Sequence, residues 1–152
     1  MDVFDAIGDA ACAESALWRE ALLPSHARER VAVFSTLAPS RFALGLETVY
    51  EAYLVHYGRS RLFEPPGDDE RVLLGDYLYA HGLVRIADAG GVGAVAAMAE
   101  LISRCAALRA EDDRGDGDGE AWIDAARALG GAPDGGATAR VLARHSARVA
   151  PC

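Results

Sequence analysis

The sequence contains no lysine, only three cysteines and no long uninterrupted apolar run, and these absences narrow its class. All 15 basic residues are arginine, which together with abundant alanine and glycine points to a GC-rich coding bias and says nothing of function. Cys12, Cys105 and Cys152 are odd in number and far apart, so neither a disulfide framework nor a paired-cysteine zinc site is indicated. We therefore expect a reducing, cytoplasmic compartment.

Positive charge is also scarce. The formal net charge is −8 at pH 7, whereas a nucleic-acid-binding protein needs a basic face to displace counterions from phosphates. Asp2, Asp5 and Asp9 stand where a secretory signal would carry cations, and no apolar run reaches membrane-spanning length. The sequence predicts a soluble protein with no nucleic-acid partner and no membrane span.

Length and periodicity predict one all-α domain over residues 1–152. A chain of 152 residues with 51% apolar content can bury a core, and no segment alternates apolar and polar residues as a half-buried strand does. Helical spacing and proline or glycine breaks predict seven helices, at about residues 3–23, 25–38, 40–57, 70–89, 92–110, 120–129 and 137–149. The acidic, glycine-rich segment 111–119 predicts a mobile loop.

The most informative stretch is 41–82. It holds an apolar helix ending in Leu54-Val55-His56, a short cationic junction from Tyr57 to Arg61, and a later block that reads Leu73-Leu74-Gly75-Asp76-Tyr77-Leu78. This order and spacing resemble the trans-type polyprenyl diphosphate synthases. In that family Glu-x-x-His and Leu-Val-His run into an aspartate-rich motif, and a following helix opens with Leu-x-Gly-Asp-Tyr-Leu.

The resemblance extends over about residues 42–108 and implies a helical bundle like the N-terminal half of the isoprenoid synthase fold. Glu47 matches the family's glutamate, while Tyr50 stands where histidine is usual. In the family the aspartates hold magnesium ions that grip the substrate diphosphate, as hard cations require. The corresponding positions here are Tyr57, Gly58 and Arg61, and the second aspartate-rich motif has no counterpart, so we expect no metal, no cofactor and no ordinary prenyl transfer.

Acidic clusters elsewhere have simpler interpretations than metal binding. Residues 68–70 precede a helix, where carboxylates act as caps more often than as metal ligands. Asp116, Asp118 and Glu120 alternate like part of a calcium loop but miss its glycine and closing glutamate, which favours a disordered acidic loop. Asp76 lies in a strongly apolar helix, so we expect it to make an internal hydrogen bond.

Three functions remain open. The first is a non-catalytic subunit that pairs with a full-length polyprenyl synthase. The second is a small module that binds an isoprenoid or lipid anion, and the third is a homodimeric enzyme of altered chemistry. For the module, Arg59 and Arg61 would hold the head group and residues such as Tyr53, Tyr77 and Tyr79 would line a cavity, although solvated or ion-paired arginines are the simpler alternative. A short fold leaves apolar surface exposed, which favours a dimer. The candidate ligand- or partner-binding residues are Glu47, Tyr50, Tyr53, His56, Arg59, Arg61, Asp76 and Tyr77.

Overall fold

The protein is all-α, as predicted. A computed structural model describes residues 1–150, and within that range the one strand-like pairing is an isolated antiparallel bridge between Leu22 and Phe63. The helices are α1 Val3–Glu14, α2 Ala16–Ala21, α3 Ala43–Tyr57, α4 Asp68–Glu111, α5 Asp118–Ala128 and α6 Gly135–Val149, with short 3-10 turns at Ser25–Ala27, Phe34–Leu37 and Ser40–Phe42.

The predicted first helix is two helices, because Ser15 interrupts it. Ser15 has extended backbone angles, φ −155° and ψ 143°, and its hydroxyl accepts a hydrogen bond from the amide of Leu17 at 3.1 Å. A serine oxygen that satisfies a free amide in this way starts a new helix. The chain therefore turns at Ser15, so that α2 packs on α1 and α1 packs on α3.

The predicted helix over residues 25–38 is wrong. This segment consists of two short 3-10 turns joined by residues 28–33 without regular secondary structure, because buried charges bind its backbone groups. The carbonyl of Val31 accepts from the Arg61 guanidinium at 2.8 Å, and the amide of Val33 donates to the Glu47 carboxylate at 3.1 Å. Backbone groups engaged in these bonds are not available to the helical ladder.

Helix α3 is the centre of the molecule. Every residue from Gly45 to Val55 is buried, as expected of a helix that is covered on all sides. One face of α3 contributes to a core with α1, α2 and the first half of α4. The other faces pack against the second half of α4, α5 and α6.

Glycines allow α3 and α4 to approach closely. A Cβ atom placed on Gly82 would lie 2.6 Å from Cγ2 of Val49 and 3.1 Å from its backbone nitrogen. A Cβ on Gly75 would overlap the His56 ring. Gly75, the glycine of the Gly-Asp-Tyr-Leu block, is therefore explained by packing, because a larger residue would clash with the end of α3.

The break predicted at Gly90-Gly91 is confirmed as a kink. Gly91 has φ 71° and ψ −161°, a conformation that favours glycine, and α4 resumes beyond it with residues 92–111 in helical form. By length and composition alone, α4 is apolar enough to cross a membrane, and only 22% of its most apolar 18-residue window is buried. Much of the apolar surface of α4 is therefore in contact with solvent.

The end of the predicted acidic loop is part of the folded interior. Residues 112–117 form turns between α4 and α5, but Asp118 and Gly119 are buried in the first turn of α5. The last predicted helix is confirmed and begins at Gly135, where the side chain of Asp134 accepts from the amide of Ala137 at 2.7 Å.

We predict that Gly82→Ala destabilises the fold by about 1–3 kcal/mol, because the added methyl group overpacks the α3–α4 contact. Gly93→Ala is the matched control, since nothing lies within 4 Å of its Cβ position, and replacing this helical glycine should stabilise by about 0.5–1 kcal/mol. Urea unfolding followed by circular dichroism measures both. Equal changes in the free energy of unfolding for the two substitutions would contradict the close approach of α3 and α4 at Gly82.

Candidate functional site

A fully buried ion cluster joins α3 to the junction that follows it. Nη1 of Arg61 lies 2.6 Å from Oε2 of Glu47, and its Nε lies 2.9 Å from Oε2 of Glu51. Arg61 and Glu51 have no exposed side-chain surface, and Glu47 has 1%. The two glutamates are four residues apart and so lie on the same face of α3, where a single guanidinium can bridge them.

The glutamates of this cluster also accept hydrogen bonds from the chain around them. Oε1 of Glu47 accepts from the hydroxyl of Ser35 at 2.6 Å, in addition to the amide of Val33. Oε1 of Glu51 accepts from the amides of Arg61 and Leu62 at 3.0 and 3.1 Å and from the Ser60 hydroxyl. Buried carboxylates are tolerated when they are paired and hydrogen-bonded, and here those bonds fix the paths of residues 31–35 and 60–62.

The surroundings keep Arg61 charged. Burial alone lowers the pKa of its guanidinium, but the adjacent Glu51 and Glu47 carboxylates raise it, and the net pKa lies above the ordinary value. The guanidinium carbon also lies 4.9 Å from the ring centroid of Phe4 and 5.1 Å from that of Tyr50, within the range of cation–π attraction. Arg61 is thus held by contacts inside the protein.

The two junction arginines therefore occupy different environments. Arg61 is enclosed and has no surface to offer a ligand or partner. Arg59 is exposed, with its backbone amide bonded to the carbonyl of Arg148 at 3.0 Å. Of the cations at the predicted head-group position, only Arg59 is presented to solvent.

A second polar cluster lies between α3, the end of α4 and the start of α5. The Tyr53 hydroxyl donates to Oδ2 of Asp118 at 2.6 Å and accepts from Nη2 of Arg109 at 3.0 Å. Nε of Arg109 donates to the same Asp118 oxygen at 3.0 Å. Asp118 is fully buried, and its other oxygen, Oδ1, has no hydrogen-bond partner within the described chain.

Tyr50 connects α3 to α6 through His145. The Tyr50 hydroxyl and Nδ1 of His145 are 2.9 Å apart, and both side chains are almost completely buried. Burial lowers the pKa of His145 to about 4, with Asp118 opposing and Arg109 adding to the shift. His145 is therefore neutral at physiological pH, and burial likewise raises the pKa of Tyr50 above its ordinary value.

His56 and Asp76 meet at the C-terminal end of α3. Nε2 of His56 lies 3.4 Å from Oδ1 of Asp76, whose side chain is 69% exposed, so this contact lies at the surface. The His56 ring stacks on Tyr79, with centroids 5.2 Å apart. Burial lowers the pKa of His56, and the Asp76 carboxylate partly offsets the shift.

The three tyrosines that were expected to line one cavity make separate contacts and do not face a common space. Tyr53 belongs to the Asp118 cluster, and Tyr79 stacks on His56. Tyr77 instead stacks on Trp18 with ring centroids 6.0 Å apart and on His81 at 5.4 Å. The Tyr77 hydroxyl is buried and has no partner within residues 1–150. These side chains fill the protein interior at separate positions.

The predicted residues thus separate into three groups. Glu47 and Arg61 share the ion cluster, Tyr50 and Tyr53 stack on each other in the core with ring centroids 5.8 Å apart, and His56 and Asp76 pair at the end of α3, while Arg59 and Tyr77 stand apart. Within residues 1–150, no group of three or more His, Cys, Asp or Glu side chains is arranged to hold a metal ion.

Sequence reasoning missed Glu51, Arg109, Asp118 and His145. Glu51 could have been found, because Glu47 and Glu51 lie one helical turn apart on an apolar helix and two buried carboxylates require a cation. Asp118 carried no such signal, since its neighbours are glycines and acids typical of a loop.

Comparisons of the chain with protein-family models, with curated proteins and with solved structures found no match. The resemblance to polyprenyl diphosphate synthases therefore depends on the motifs in residues 42–108.

We predict that Arg61→Met costs about 3–5 kcal/mol in the free energy of unfolding, because it leaves two buried carboxylates without a cation. Arg59→Met, two residues away but exposed, should change it by at most about 0.5 kcal/mol. Adding Glu47→Gln and Glu51→Gln to Arg61→Met should recover part of the loss. Urea unfolding compares the variants, and similar costs for the two arginine substitutions would argue against the cluster.

We also predict a His145-dependent loss of stability in acid. The unfolded chain protonates this histidine near its ordinary pKa of 6.5, whereas the folded chain does so only at about 4. Stability is therefore fully present above pH 6.5 and falls as the pH drops toward 4, by roughly 3 kcal/mol from this group. His145→Gln should flatten that part of the curve, and His26→Gln, at an exposed site, should not. Parallel curves for the wild type and His145→Gln would refute the assignment.

Proposed function

We propose that this chain is a non-catalytic, polyprenyl-diphosphate-synthase-like subunit that pairs in the cytoplasm with a catalytic synthase subunit of isoprenoid biosynthesis. Its fold corresponds, in this proposal, to the N-terminal half of the isoprenoid synthase fold. The observation that carries the proposal is an exposed apolar surface along the first half of α4, in the region where the sequence motif occurs.

This surface, here called the outer ridge, consists of Leu73, Ala80, Val84 and Ala87. Their spacing of seven, four and three residues places them on one side of a helix. All four are exposed, Leu73 by 55% and Val84 by 57%. The opposite side of the helix carries Leu74, Leu78 and Ile86, each at most 1% exposed.

Apolar residues on both sides of one helix imply two packing partners. The inner side already packs on α3, whereas the outer ridge is in contact with water. Each large apolar side chain that becomes buried contributes about 1.5–3 kcal/mol relative to exposure, so association along the ridge is favourable. Alanines between the larger residues permit close approach of another helix.

The interior supports a non-catalytic role. Tyr57, Gly58 and Arg61 occupy the positions that match the family's metal-binding aspartates. Arg61 in particular places a positive charge there, and Glu47 and Glu51 are engaged by it. Because the Arg61 guanidinium is already paired with both carboxylates, its positive charge opposes the binding of a metal ion at this position.

We predict that the chain co-purifies with the full-length polyprenyl diphosphate synthase of its own organism and that Val84→Arg abolishes this association. The substitution puts a charge into an apolar contact but leaves the folded core intact, because Val84 is exposed and such changes are usually within about 0.5 kcal/mol. Co-expression followed by affinity purification measures the complex, and product chain length measures its effect.

Ala139→Arg is the matched control, because it adds the same charge at an exposed position on α6, away from the ridge. It should leave the complex intact. Failure of the wild-type chain to bind an active synthase would refute the heteromeric function. If light scattering shows that the chain self-associates and that Val84→Arg removes this association, the ridge would instead be assigned to a homodimer. Recovery of the chain in the membrane fraction would contradict the cytoplasmic assignment.

A further inference from the structure

A cleft of about 460 Å³ lies where the C-terminal end of α3, the junction after it and residues 23–29 meet. Its apolar lining includes Leu23, Ala27 and Pro65, which are partly buried or exposed, whereas Leu54, Val55 and Phe63 also border it but are no more than 3% exposed. The exposed part of this lining can accept an alkyl chain, because each methylene group removed from water contributes about 0.8 kcal/mol.

The walls of the cleft are held in place by backbone hydrogen bonds. The amide of Leu23 donates to the carbonyl of Leu62 at 2.8 Å, and the amide of Glu64 donates to the carbonyl of Ala21 at 2.8 Å. On the opposite side, Arg59 is bonded through its amide to the C-terminal part of α6. The cleft is therefore formed without a ligand, which reduces the ordering cost of binding.

Two arginines at the cleft have no carboxylate partner in the part of the chain that the structure describes. Arg59 and Arg71 both line it, both are exposed, and neither forms an ion pair within residues 1–150. Arg148, close by, is different because Glu29 pairs with it. An unpaired guanidinium is well suited to a carboxylate or phosphate, which it can bind through two parallel hydrogen bonds.

The charge balance of the cleft favours an anion. Its acidic lining residues are Glu29 and Glu64. Glu29 is neutralised by Arg148, which leaves Arg59 and Arg71 against Glu64 alone. The cleft therefore carries one excess positive charge beside its exposed apolar lining.

We propose that this cleft binds an anionic amphiphile. The alkyl chain lies against Leu23, Ala27 and Pro65, and the carboxylate or phosphate head group lies between Arg59 and Arg71. The site shares no residue with the outer ridge of α4, so the proposal stands or falls independently of the pairing with a synthase.

Isothermal titration calorimetry below the micelle concentration tests the site with dodecanoate and dodecyl phosphate. At least one should bind with a stoichiometry of one, whereas inorganic phosphate and neutral dodecyl maltoside should bind much more weakly. Binding of dodecanoate alone assigns a fatty-acid-like ligand, and binding of dodecyl phosphate alone assigns a phosphorylated lipid. Absence of binding by both anionic probes, or equally tight binding of dodecyl maltoside, overturns the proposal.

Substitutions then locate the head group and the chain. Arg59→Ala and Arg71→Ala should each raise the Kd roughly tenfold, equivalent to about 1.4 kcal/mol, whereas Glu64→Gln should lower it because a repulsive charge is removed. Ala27→Phe, at an exposed lining position, should block the cleft. Arg140→Ala, an exposed arginine of α6, should leave the Kd unchanged. Unchanged binding in Arg59→Ala and Arg71→Ala would also overturn the assignment.

Discussion

The structure depends on one buried interaction, the bridge from the Arg61 guanidinium to the carboxylates of Glu47 and Glu51. Two carboxylates on one turn of a buried helix are tolerated only with a cation beside them. Arg61 supplies that cation, and to do so the junction after α3 must fold back along the helix. The same carboxylates also bind backbone amides at Val33 and Leu62, so a single charge cluster determines the course of two segments without regular secondary structure.

The proposed roles follow from which cations and apolar surfaces are buried in the core and which remain exposed. Arg61 belongs to the interior, whereas Arg59 and Arg71 border an open cleft. Helix α4 has a similar division, with one side packed on α3 and the other exposed. The proposed roles, association along α4 and capture of an anionic amphiphile at the cleft, both use surfaces left over after the core is formed. Neither requires the metal chemistry of the synthases that the motifs resemble.

The fold was predictable where the apolar pattern alone decides it. Helices α3, α4 and α6 follow from periodicity and breaking residues, and Gly91 follows from its Gly-Gly context. The helix predicted over residues 25–38 failed because long-range bonds to Glu47 and Arg61 took the backbone groups that a helix would have used. Of the residues named from the sequence, Glu47 and Arg61 do contact each other, but their partner Glu51, the Asp118–Arg109 pair and His145 were not recognised.

Residue type and local spacing are enough to predict the all-α class, the apolar helix that ends at His56 or Tyr57, and the absence of aspartate at positions 57, 58 and 61. Only the tertiary structure decided which polar groups are buried. Asp118 lies beside glycines in an acidic segment, yet it is enclosed because Tyr53 and Arg109, 65 and 9 residues away in the chain, converge on it. Whether a charged group is buried depends on partners elsewhere in the chain, and the residues next to it in the sequence do not indicate which partners those are.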